Sequence, residues 1–536
     1  MPPACRRISR TLVVMARIAL LQLPAFDLAD ARLALQDALR RIDEVARAHP
    51  QLDLIVLPEA SYPAYFLAGE PPVDAPSPRD AAARFAAKAH EHRVYIAAGI
   101  AMDETGRRAN AALLFDRNGD AVGRYDKAFL WHFDANWFAR GSAYPVFETD
   151  FGRVGMLICA DGRIPEIARA LVAGGAQLIV DLTAWVSGGR HAEELTTTQF
   201  EYLMRVRAYE NGVWVVCADK CGTEAESIVY AGRSCVIAPD GSLAAALGAD
   251  EAGALVHDVP LADAAPPVAR RPKLYGVLAE DPAPSPRPTA LGLEAHRLAA
   301  AQTGADDALE RHLARQALMH SELVVFPCLP DCASGGADEV AARLRAGCLA
   351  GGMLAAVGLT ADGVSEALLV GGEGVVARHR QSHGRAGAGA AALGDALPPT
   401  VDTPLGRLGL LVAEEGLAPE PTRALMLRGA DIILWCAAAD CGPVLPVART
   451  RAEENRVYVA VASPPSSPGG ASAVIDPDGR ILAVALAGRE LVVGADVVPL
   501  LARNKRRAPG TDVLADRQPA TYGILCETAA TPAAQR

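Results

Sequence analysis

The chain contains one segment twice, and this internal repeat constrains its fold more than any other feature. Residues 151–166 read FGRVGMLICADGRIPE and residues 405–420 read LGRLGLLVAEEGLAPE, and the two segments align without a gap. Further pairs follow in the same order, including RAYENGVWVVCA with RAEENRVYVAVA and RRPKLYGVL with DRQPATYGIL. Because the pairs extend along both halves of the chain, we expect two whole domains of one fold in tandem.

The repeat also indicates where one domain ends and the next begins. The 536 residues are enough for two domains that each bury a core of their own. We place the first domain at residues 15–280 and the second at residues 290–528. Between them, residues 281–289 read DPAPSPRPT, in which prolines alternate with other residues. Such a stretch cannot sustain helical or sheet hydrogen bonding, so we predict an extended linker.

Apolar patterns in the first half predict alternating strands and helices. Residues 31–49 carry apolar side chains at helical spacing, with Asp30 as the predicted cap. LDLIVLP, VGMLICA and AQLIVDLTAW are short runs that are apolar on both faces, which is typical of buried strands. HAEELTTTQFEYLMRVRAYENG predicts a long helix that ends at Gly212. This alternation predicts an α/β domain in which helices pack on sheets.

Composition argues against several classes of partner. The net charge of −11 opposes binding to a nucleic-acid backbone, which requires a basic surface. No uninterrupted apolar run is long enough to cross a bilayer, so we expect no membrane partner. The eleven cysteines lack the two-residue spacing of common zinc sites, and reduced thiols are expected.

The first residues admit two interpretations of cellular location. Arginines precede an apolar stretch in MPPACRRISRTLVVMARIALLQLP, as they do in a secretory signal. However, ARIALLQLP is also typical of a first core strand, and no small-residue cleavage site follows it. We therefore expect a cytoplasmic protein.

Three reactive side chains of the first half have unreactive or different counterparts in the second half. The aligned pairs are Glu59 with Cys328, Lys127 with Gln381, and Cys159 with Ala413. A cysteine at a strand end is usually a small buried apolar residue. A neighbouring cation and base would instead make it a nucleophile, because the thiolate is the form that attacks. The joint loss of all three groups is the pattern expected if they act together on one substrate.

Around these residues the sequence resembles the nitrilase superfamily of carbon-nitrogen hydrolases. LPEAS around Glu59, YDKAFLW around Lys127 and CADGRIPE around Cys159 look like the signature blocks of its Glu-Lys-Cys triad. The resemblance covers residues 16–278 and, in a degenerate form, residues 290–526. It implies two αββα sandwiches in tandem and hydrolysis of nonpeptide carbon-nitrogen bonds without a metal or an organic cofactor.

The resemblance also implies a role for each site residue. Glu59 would be the general base, and Cys159 would be the nucleophile that forms a thioester. Lys127 and the backbone N–H of Ala160 would stabilise the oxyanion. A second family glutamate, seven residues after the lysine, corresponds to Asp134, for which a solvated loop aspartate is the alternative.

Other side chains near the triad are candidates for the walls of a substrate pocket. For the aromatic candidates the alternative is ordinary core packing, and for the histidine it is a surface position. The arginine matches a position where related amidases and N-carbamoyl amidohydrolases carry arginine, so it would clamp a substrate carboxylate or form a salt bridge with Glu166 or another helix residue. The candidates are Tyr62, Trp131, His132, Arg163 and Trp185.

The expected function is therefore that of a thiol hydrolase for a small amide or N-carbamoyl compound, with release of ammonia or an amine. CADGRIPE is closer to the C-x-D-x-R-x-P-E form of amidases and carbamoylases than to the CWE form of nitrilases. A nitrilase that converts a nitrile to an acid is the alternative within the family. A noncatalytic scaffold or regulatory binding protein is the alternative from another class.

The second half is expected to fold without hydrolysing a substrate. The loop LWHFDANWFARG of the first half is replaced there by GRAGAGAAALGDAL, which lacks aromatic side chains to shape a pocket. Its strand-like apolar runs are kept. We expect the second half to act as a built-in partner in an intramolecular pseudo-dimer, with further homo-oligomers left open.

Overall fold

A computed structural model describes seven stretches of the chain. They are residues 14–104, 107–189, 191–281, 291–304, 308–330, 336–385 and 393–527. All but one residue of the predicted linker at 281–289 lies outside these stretches, and the domain limits at 15–280 and 290–528 stay predictions. The nine cysteines in the described stretches all carry free thiols. No helix in the same stretches has both the length and the apolar character needed to cross a membrane.

The described part of the first half contains two large β-sheets. Sheet A has the strand order Lys220–Cys221, Val14–Pro24, Leu54–Val56, Tyr95–Glu104, Arg107–Phe115 and Ala121–Asp126, and Gly253–Leu261 also pairs with Val14–Pro24. Sheet B has the strand order Leu243–Ala246, Cys235–Ile237, Trp214–Ala218, Leu178–Leu182, Gly152–Ile158 and Val146–Thr149. The central strands of both sheets run parallel, so their carboxyl ends meet at one edge.

The described part of the second half repeats this arrangement. Sheet C has the strand order Gly374–Arg380, Val364–Gly371, Leu354–Ala361, Leu323–Pro330, His296–Gln302 and Leu491–Val497. Sheet D has the strand order Thr400–Thr403, Gly406–Val412, Ile432–Cys436, Tyr458–Ala462, Ala473–Ile475 and Ile481–Val484. Two short hairpins complete the strands, namely Thr223–Glu224 with Ile228–Val229 and Arg506–Ala508 with Thr511–Asp512.

Helices cover the outer faces of the sheets. In chain order they are α1 (Ala31–Ala48), α2 (Pro78–His92), α3 (Pro165–Ala173), α4 (Met204–Asn211), α5 (Leu309–Leu318), α6 (Gly336–Gly351), α7 (Pro419–Leu427) and α8 (Val444–Asn455). Short 3-10 turns include His132–Asn136, Cys159–Arg163 and Ala413–Leu417. The apolar cores lie between sheets A and B and between sheets C and D, with further apolar layers beneath the helices. The predicted α/β fold with two αββα sandwiches in tandem is thereby confirmed.

Two local predictions need correction. The segment predicted as one long helix before Gly212 is divided into a 3-10 turn at Ala192–Glu194, a π-helical turn at Gln199–Leu203 and then α4. The run of threonines between the first two turns interrupts the helix, because threonine side chains compete for backbone hydrogen bonds. Asp30 precedes α1 as predicted, but its side chain makes no capping hydrogen bond.

The two halves contact each other through equivalent surfaces built on α3, α4, α7 and α8. Four buried ion pairs across the contact form two reciprocal couples in which the halves exchange roles, as in the self-complementary interface of a twofold dimer. The pairs are Arg207 with Glu454 (2.5 Å), Arg451 with Glu210 (2.6 Å), Arg169 with Glu420 (3.0 Å) and Arg423 with Glu166 (3.0 Å).

Candidate active site

The structure brings together the three residues that the repeat singled out, each just beyond a strand end. Glu59 follows the strand Leu54–Val56, Lys127 follows Ala121–Asp126, and Cys159 follows Gly152–Ile158. The Lys127 ammonium lies 2.7 Å from Glu59 Oε1 and 2.7 Å from Asp134 Oδ2. Glu59, Lys127 and Asp134 are fully buried, whereas Cys159 keeps 7% of its surface exposed. Cys159 is therefore the least buried residue of this group.

Burial and neighbouring charges set the protonation of the group. Burial raises the pKa of Glu59, and the Asp134 charge raises it further, against the opposing effect of Lys127. Burial opposes the charge of Lys127, but the Asp134 and Glu59 carboxylates outweigh it and raise the pKa of the amine. Burial and the Glu59 charge raise the pKa of Cys159. The resting cysteine is therefore a thiol, and a nucleophilic role for it would require a base.

Glu59 has one oxygen that can serve as this base. Its Oε1 accepts hydrogen bonds from Lys127 Nζ at 2.7 Å and from Asn110 Nδ2 at 2.6 Å. Its Oε2 is buried and has no hydrogen-bond partner in the described part of the chain. A buried carboxylate oxygen without a partner is costly, so it is poised to accept a proton.

The turn at Cys159 holds this residue in an uncommon backbone conformation. Cys159 has a φ of +50°, a region that side chains other than glycine rarely adopt. Its N–H donates to Asp181 Oδ1 at 2.8 Å, and its carbonyl accepts from Gln199 Nε2 at 2.8 Å. Two buried side chains thus fix both backbone groups of this residue.

Asp134 is part of the buried group and not a solvated loop residue. Its Oδ2 accepts from Lys127 Nζ and also from the Trp131 N–H at 2.9 Å. Its Oδ1 accepts from the Tyr65 hydroxyl at 2.8 Å. The shorter carboxylate therefore reaches the lysine that the family's second glutamate would contact.

The predicted pocket residues lie in different surroundings. Tyr62 is buried against sheet A and its hydroxyl donates to the Pro76 carbonyl, so it lines the core beneath α2. Trp185 is buried in the apolar core that also contains Cys159, and its Nε1 has no hydrogen-bond partner among the described residues. Ala160 is buried within the turn itself. His132 is exposed, with its ring against Phe133.

Arg163 is already engaged by the second half of the chain. Its Nη1 lies 2.5 Å from Glu453 Oε1, and its guanidinium lies 4.7 Å from the centre of the Trp131 ring. A salt bridge with Glu166 is not formed, because Glu166 pairs with Arg423 and Arg517. The other predicted alternative, a salt bridge with another helix residue, is formed, because Glu453 lies in α8. The carboxylate clamp therefore stays a prediction for an arginine whose charge has a partner at rest.

The corresponding place in the second half has another arrangement. Gln381, at the position of Lys127, donates to Glu414 Oε2 at 2.6 Å. Cys328, at the position of Glu59, lies with its Sγ 3.3 Å from Thr360 Oγ1. Ala413 keeps the φ of +50° seen at Cys159. The backbone of the turn is kept, and the reactive side chains are not.

Three residues that contact the group were not anticipated from the sequence, whereas Tyr65 belongs to the aromatic residues that follow Glu59 and mark a pocket rim. Asn110 and Gln199 are common residues in a strand and in the π-helical turn, and no sequence signal marked them. Asp181 carried a signal, because it is the one charged residue within the apolar run AQLIVDLTAW. A lone acid in a buried strand requires a partner, which here is the Cys159 N–H.

The chain is similar to known proteins of one family. The model of the carbon-nitrogen hydrolase family matches residues 17–266 and 344–507. A probable nitrilase of Schizosaccharomyces pombe is 30% identical over 261 residues, which are 47% of this chain and 91% of the relative. The Pseudomonas protegens protein described as a hydrolase in the pqqF 5′ region is 35% identical, over 44% of this chain and 80% of its own length. An omega-amidase of Xenopus tropicalis is 28% identical, over 40% and 79%.

Proposed function

Because the chain belongs to the carbon-nitrogen hydrolase family, we propose that its first half hydrolyses a small amide or N-carbamoyl compound through a thioester on Cys159. The observation that carries this proposal is the buried group in which one lysine joins Glu59 and Asp134 beside the thiol. Burial of a lysine and two carboxylates costs free energy of desolvation. The group is therefore better explained by a catalytic role than by a contribution to stability.

In the proposed first step, Glu59 Oε2 takes the proton of the Cys159 thiol while the sulfur attacks the substrate carbonyl carbon. The carbonyl oxygen becomes an oxyanion, which faces the Lys127 ammonium and the Ala160 N–H. Preorganised donors of this kind typically contribute about 3 kcal/mol each to transition-state stabilisation. Asp134 holds the lysine in place.

The second step releases the amine and leaves an acyl group on the sulfur. The carbon-nitrogen bond breaks, and the nitrogen takes the proton that Glu59 received from Cys159. A water molecule then loses a proton to Glu59 and attacks the thioester carbon. The carbon-sulfur bond breaks, and the sulfur takes the proton that Glu59 received from water. The product leaves as a carboxylic acid, or as a carbamic acid when the substrate is an N-carbamoyl compound that has lost ammonia.

The proposed substrate class rests on the turn and on the relatives together. The turn CADGRIPE has the amidase form, and one relative is an omega-amidase. Another relative is a probable nitrilase, so nitriles belong in the same test. The aromatic side chains Tyr65, Phe133 and Trp131 beside the site favour a substrate with apolar or planar parts.

For the second half we propose the role of a permanent, noncatalytic partner. Its equivalent surface covers α3 and α4, which follow the nucleophile in the sequence. In the proposed division, residues 15–280 carry the reaction and residues 290–528 support it. Removal of the second half should make residues 1–280 associate with themselves or become poorly soluble, because apolar and charged interface groups would be exposed.

The test is hydrolysis by the full chain of a panel of amides, ureido acids and nitriles, with ammonia as the readout. The parent should release ammonia from one class, and Cys159→Ala should release none. Cys441→Ala is the matched control, because this buried thiol donates to the Ala413 carbonyl at the equivalent turn of the second half. Intact-mass detection of an acyl adduct on the parent would identify the thioester. Equal ammonia release by the parent and Cys159→Ala would refute the role of Cys159, and no release by the parent from any class would leave the noncatalytic scaffold as the better hypothesis.

A further inference from the structure

The loop that carries Asp134 is held by the end of the noncatalytic half. We call residues 127–141 the first-half loop and residues 505–526 the C-terminal tail. Gln518 Nε2, in the tail, donates to the Ala128 carbonyl at 3.0 Å and to the Gly141 carbonyl at 3.0 Å. The Gly141 N–H in turn donates to the Lys127 carbonyl at 2.8 Å. One amide group therefore joins both ends of the loop immediately beside the catalytic lysine.

Other contacts from the second half hold the middle of the same loop. The His132 N–H donates to Thr511 Oγ1 at 2.7 Å. Arg140 forms an ion pair with Asp516. Trp131 lies beneath the Arg163 guanidinium, which Glu453 binds from α8. The loop is thus anchored along its length by groups that lie far away in the sequence.

The second half has the reciprocal arrangement. Arg271, which aligns with Gln518, donates through Nη1 to the Ser382 carbonyl at 2.7 Å and to the Gly394 carbonyl at 3.2 Å. The Gly394 N–H donates to the Gln381 carbonyl at 2.7 Å, as Gly141 does to Lys127. Each half therefore clamps the loop of the other half. The loop that Gln518 clamps carries Lys127 and Asp134. The loop that Arg271 clamps has Gln381 at the position of the lysine and no counterpart of Asp134 in the sequence.

We propose that Gln518 is a positioning residue for the active site of the first half, and that the C-terminal tail belongs to the working site. This inference rests on the proposed function and deepens it. Gln518 fixes both ends of the loop, so that Asp134 Oδ2 stays on Lys127 Nζ. Without this clamp the loop would move outward, and the lysine would lose one of its two carboxylates. The noncatalytic half would thereby act on the reaction and not only on stability.

The test compares Gln518→Ala with Arg271→Ala, which removes the equivalent clamp on the unreactive loop. Gln518→Ala should lower kcat by about 10- to 100-fold with a smaller change in KM, because small misplacements of catalytic groups have effects of this size. The acidic limb of its pH profile should move to lower pH, because the Asp134 charge that raises the pKa of Glu59 would be withdrawn. Gln518→Arg should restore the rate, since arginine performs this role in the other half. Arg271→Ala should behave like the parent.

Hydrogen exchange of the free protein separates failure of this inference from failure of the proposed function. In Gln518→Ala the amides of His132 and Gly141 should exchange at least about tenfold faster than in the parent, whether or not a substrate is known. Thr511→Val provides a second variant and should expose the His132 amide in the same way. If exchange and kcat are unchanged in both variants, the clamp is refuted. If exchange rises but the parent hydrolyses nothing, the clamp holds and the proposed reaction fails.

Discussion

The turns at Cys159 and Ala413 have the same backbone conformation but are surrounded by different side chains. Both residues have a φ of +50°, and both turns lead into a helix that begins with proline. At the first turn a buried lysine and two carboxylates surround a thiol. At the second, Gln381 donates to the Glu414 carboxylate and no thiol is present at the turn position. The uncommon backbone is therefore a property of the fold, and the chemistry depends on the side chains placed on it.

The comparison extends to the groups that support each turn. Asp161 accepts from the Tyr125 hydroxyl at 2.7 Å, whereas its counterpart Glu415 accepts from His379 Nε2 at 2.9 Å. Both acids lie at the same place and also accept backbone N–H groups. The support is thus kept in both halves although the second turn carries Ala413 where the first carries Cys159. This indicates that folding of the turn and reactivity can be altered separately.

Replacement of the proposed base, Glu59, should give the largest difference in activity between equivalent variants of the two halves. Glu59→Gln keeps the shape and the hydrogen bond from Asn110, and Lys127 keeps Asp134. We expect kcat/KM for ammonia release to fall by about 10⁴-fold, because general-base catalysis would be lost in both steps. Cys328→Ser changes the aligned residue of the second half and should retain the parent rate. A Glu59→Gln enzyme within tenfold of the parent would contradict the assignment of Glu59.

Arg207 and Arg451 occupy equivalent positions in the contact between the halves, and replacement of either should reduce stability by the same amount. Arg207→Leu and Arg451→Leu each leave buried glutamates without one of their cations, which typically costs about 3–5 kcal/mol. Thermal unfolding should therefore shift by similar amounts in the two variants. Their activities at a permissive temperature should differ, because Arg207 donates to the Gly162 carbonyl at 2.8 Å, whereas Arg451 donates to Gly416 of the unreactive turn. Unequal thermal shifts would show that the interface is not energetically symmetric.

Much of this architecture could be predicted from the sequence, because the repeat and the apolar strand patterns are local signals. The convergence of Glu59, Lys127 and Cys159 followed from their places at the ends of strands and from their joint loss in the second half. Asp134 was expected at the position where the family carries a second glutamate. The structure places all four in one group, while their catalytic roles remain predictions.

The interface and the clamp could not be predicted in the same way. Arg207 and Glu210 are retained at equivalent positions of both halves, as RAYENG and RAEENR show. Their retention was visible, but their partners lie more than two hundred residues away, and only the three-dimensional contact defines them. Gln518 carried no signal at all. Whether an amide side chain binds two backbone carbonyls depends on the path of the loop that it meets. The residues around Gln518 do not encode that path.

The supporting acids of the two turns should respond to pH with opposite signs. Burial raises the pKa of Asp161 to about 6, so its contribution to stability is full below the ordinary value of 3.8 and is lost as the pH rises through about 6. For Glu415 burial opposes ionisation, but His379 and the hydrogen bonds to the carboxylate outweigh it and lower the pKa below 4.5. Its contribution is present above that value and is lost as the pH falls.

These signs can be measured by thermal unfolding of the parent, Asp161→Asn and Glu415→Gln between roughly pH 3 and pH 7. The advantage of the parent over Asp161→Asn should shrink by up to about 3 kcal/mol as the pH rises through this range. The advantage over Glu415→Gln should grow over the lower part of the same range. Parallel pH dependences in the two comparisons would show that both acids have similar surroundings, against the geometry.

The smallest effect is expected from rebuilding the triad in the second half. The triple replacement Cys328→Glu, Gln381→Lys and Ala413→Cys, made in a Cys159→Ala background, restores all three residue types on the same backbone. It should release no more ammonia than Cys159→Ala alone. The introduced lysine would meet the Glu414 carboxylate, which has taken the place of Ala160, and the loop there offers no counterpart of Asp134 in the sequence. Measurable hydrolysis by this variant would mean that three side chains on the retained turn are sufficient, and that the loop and its clamp contribute little.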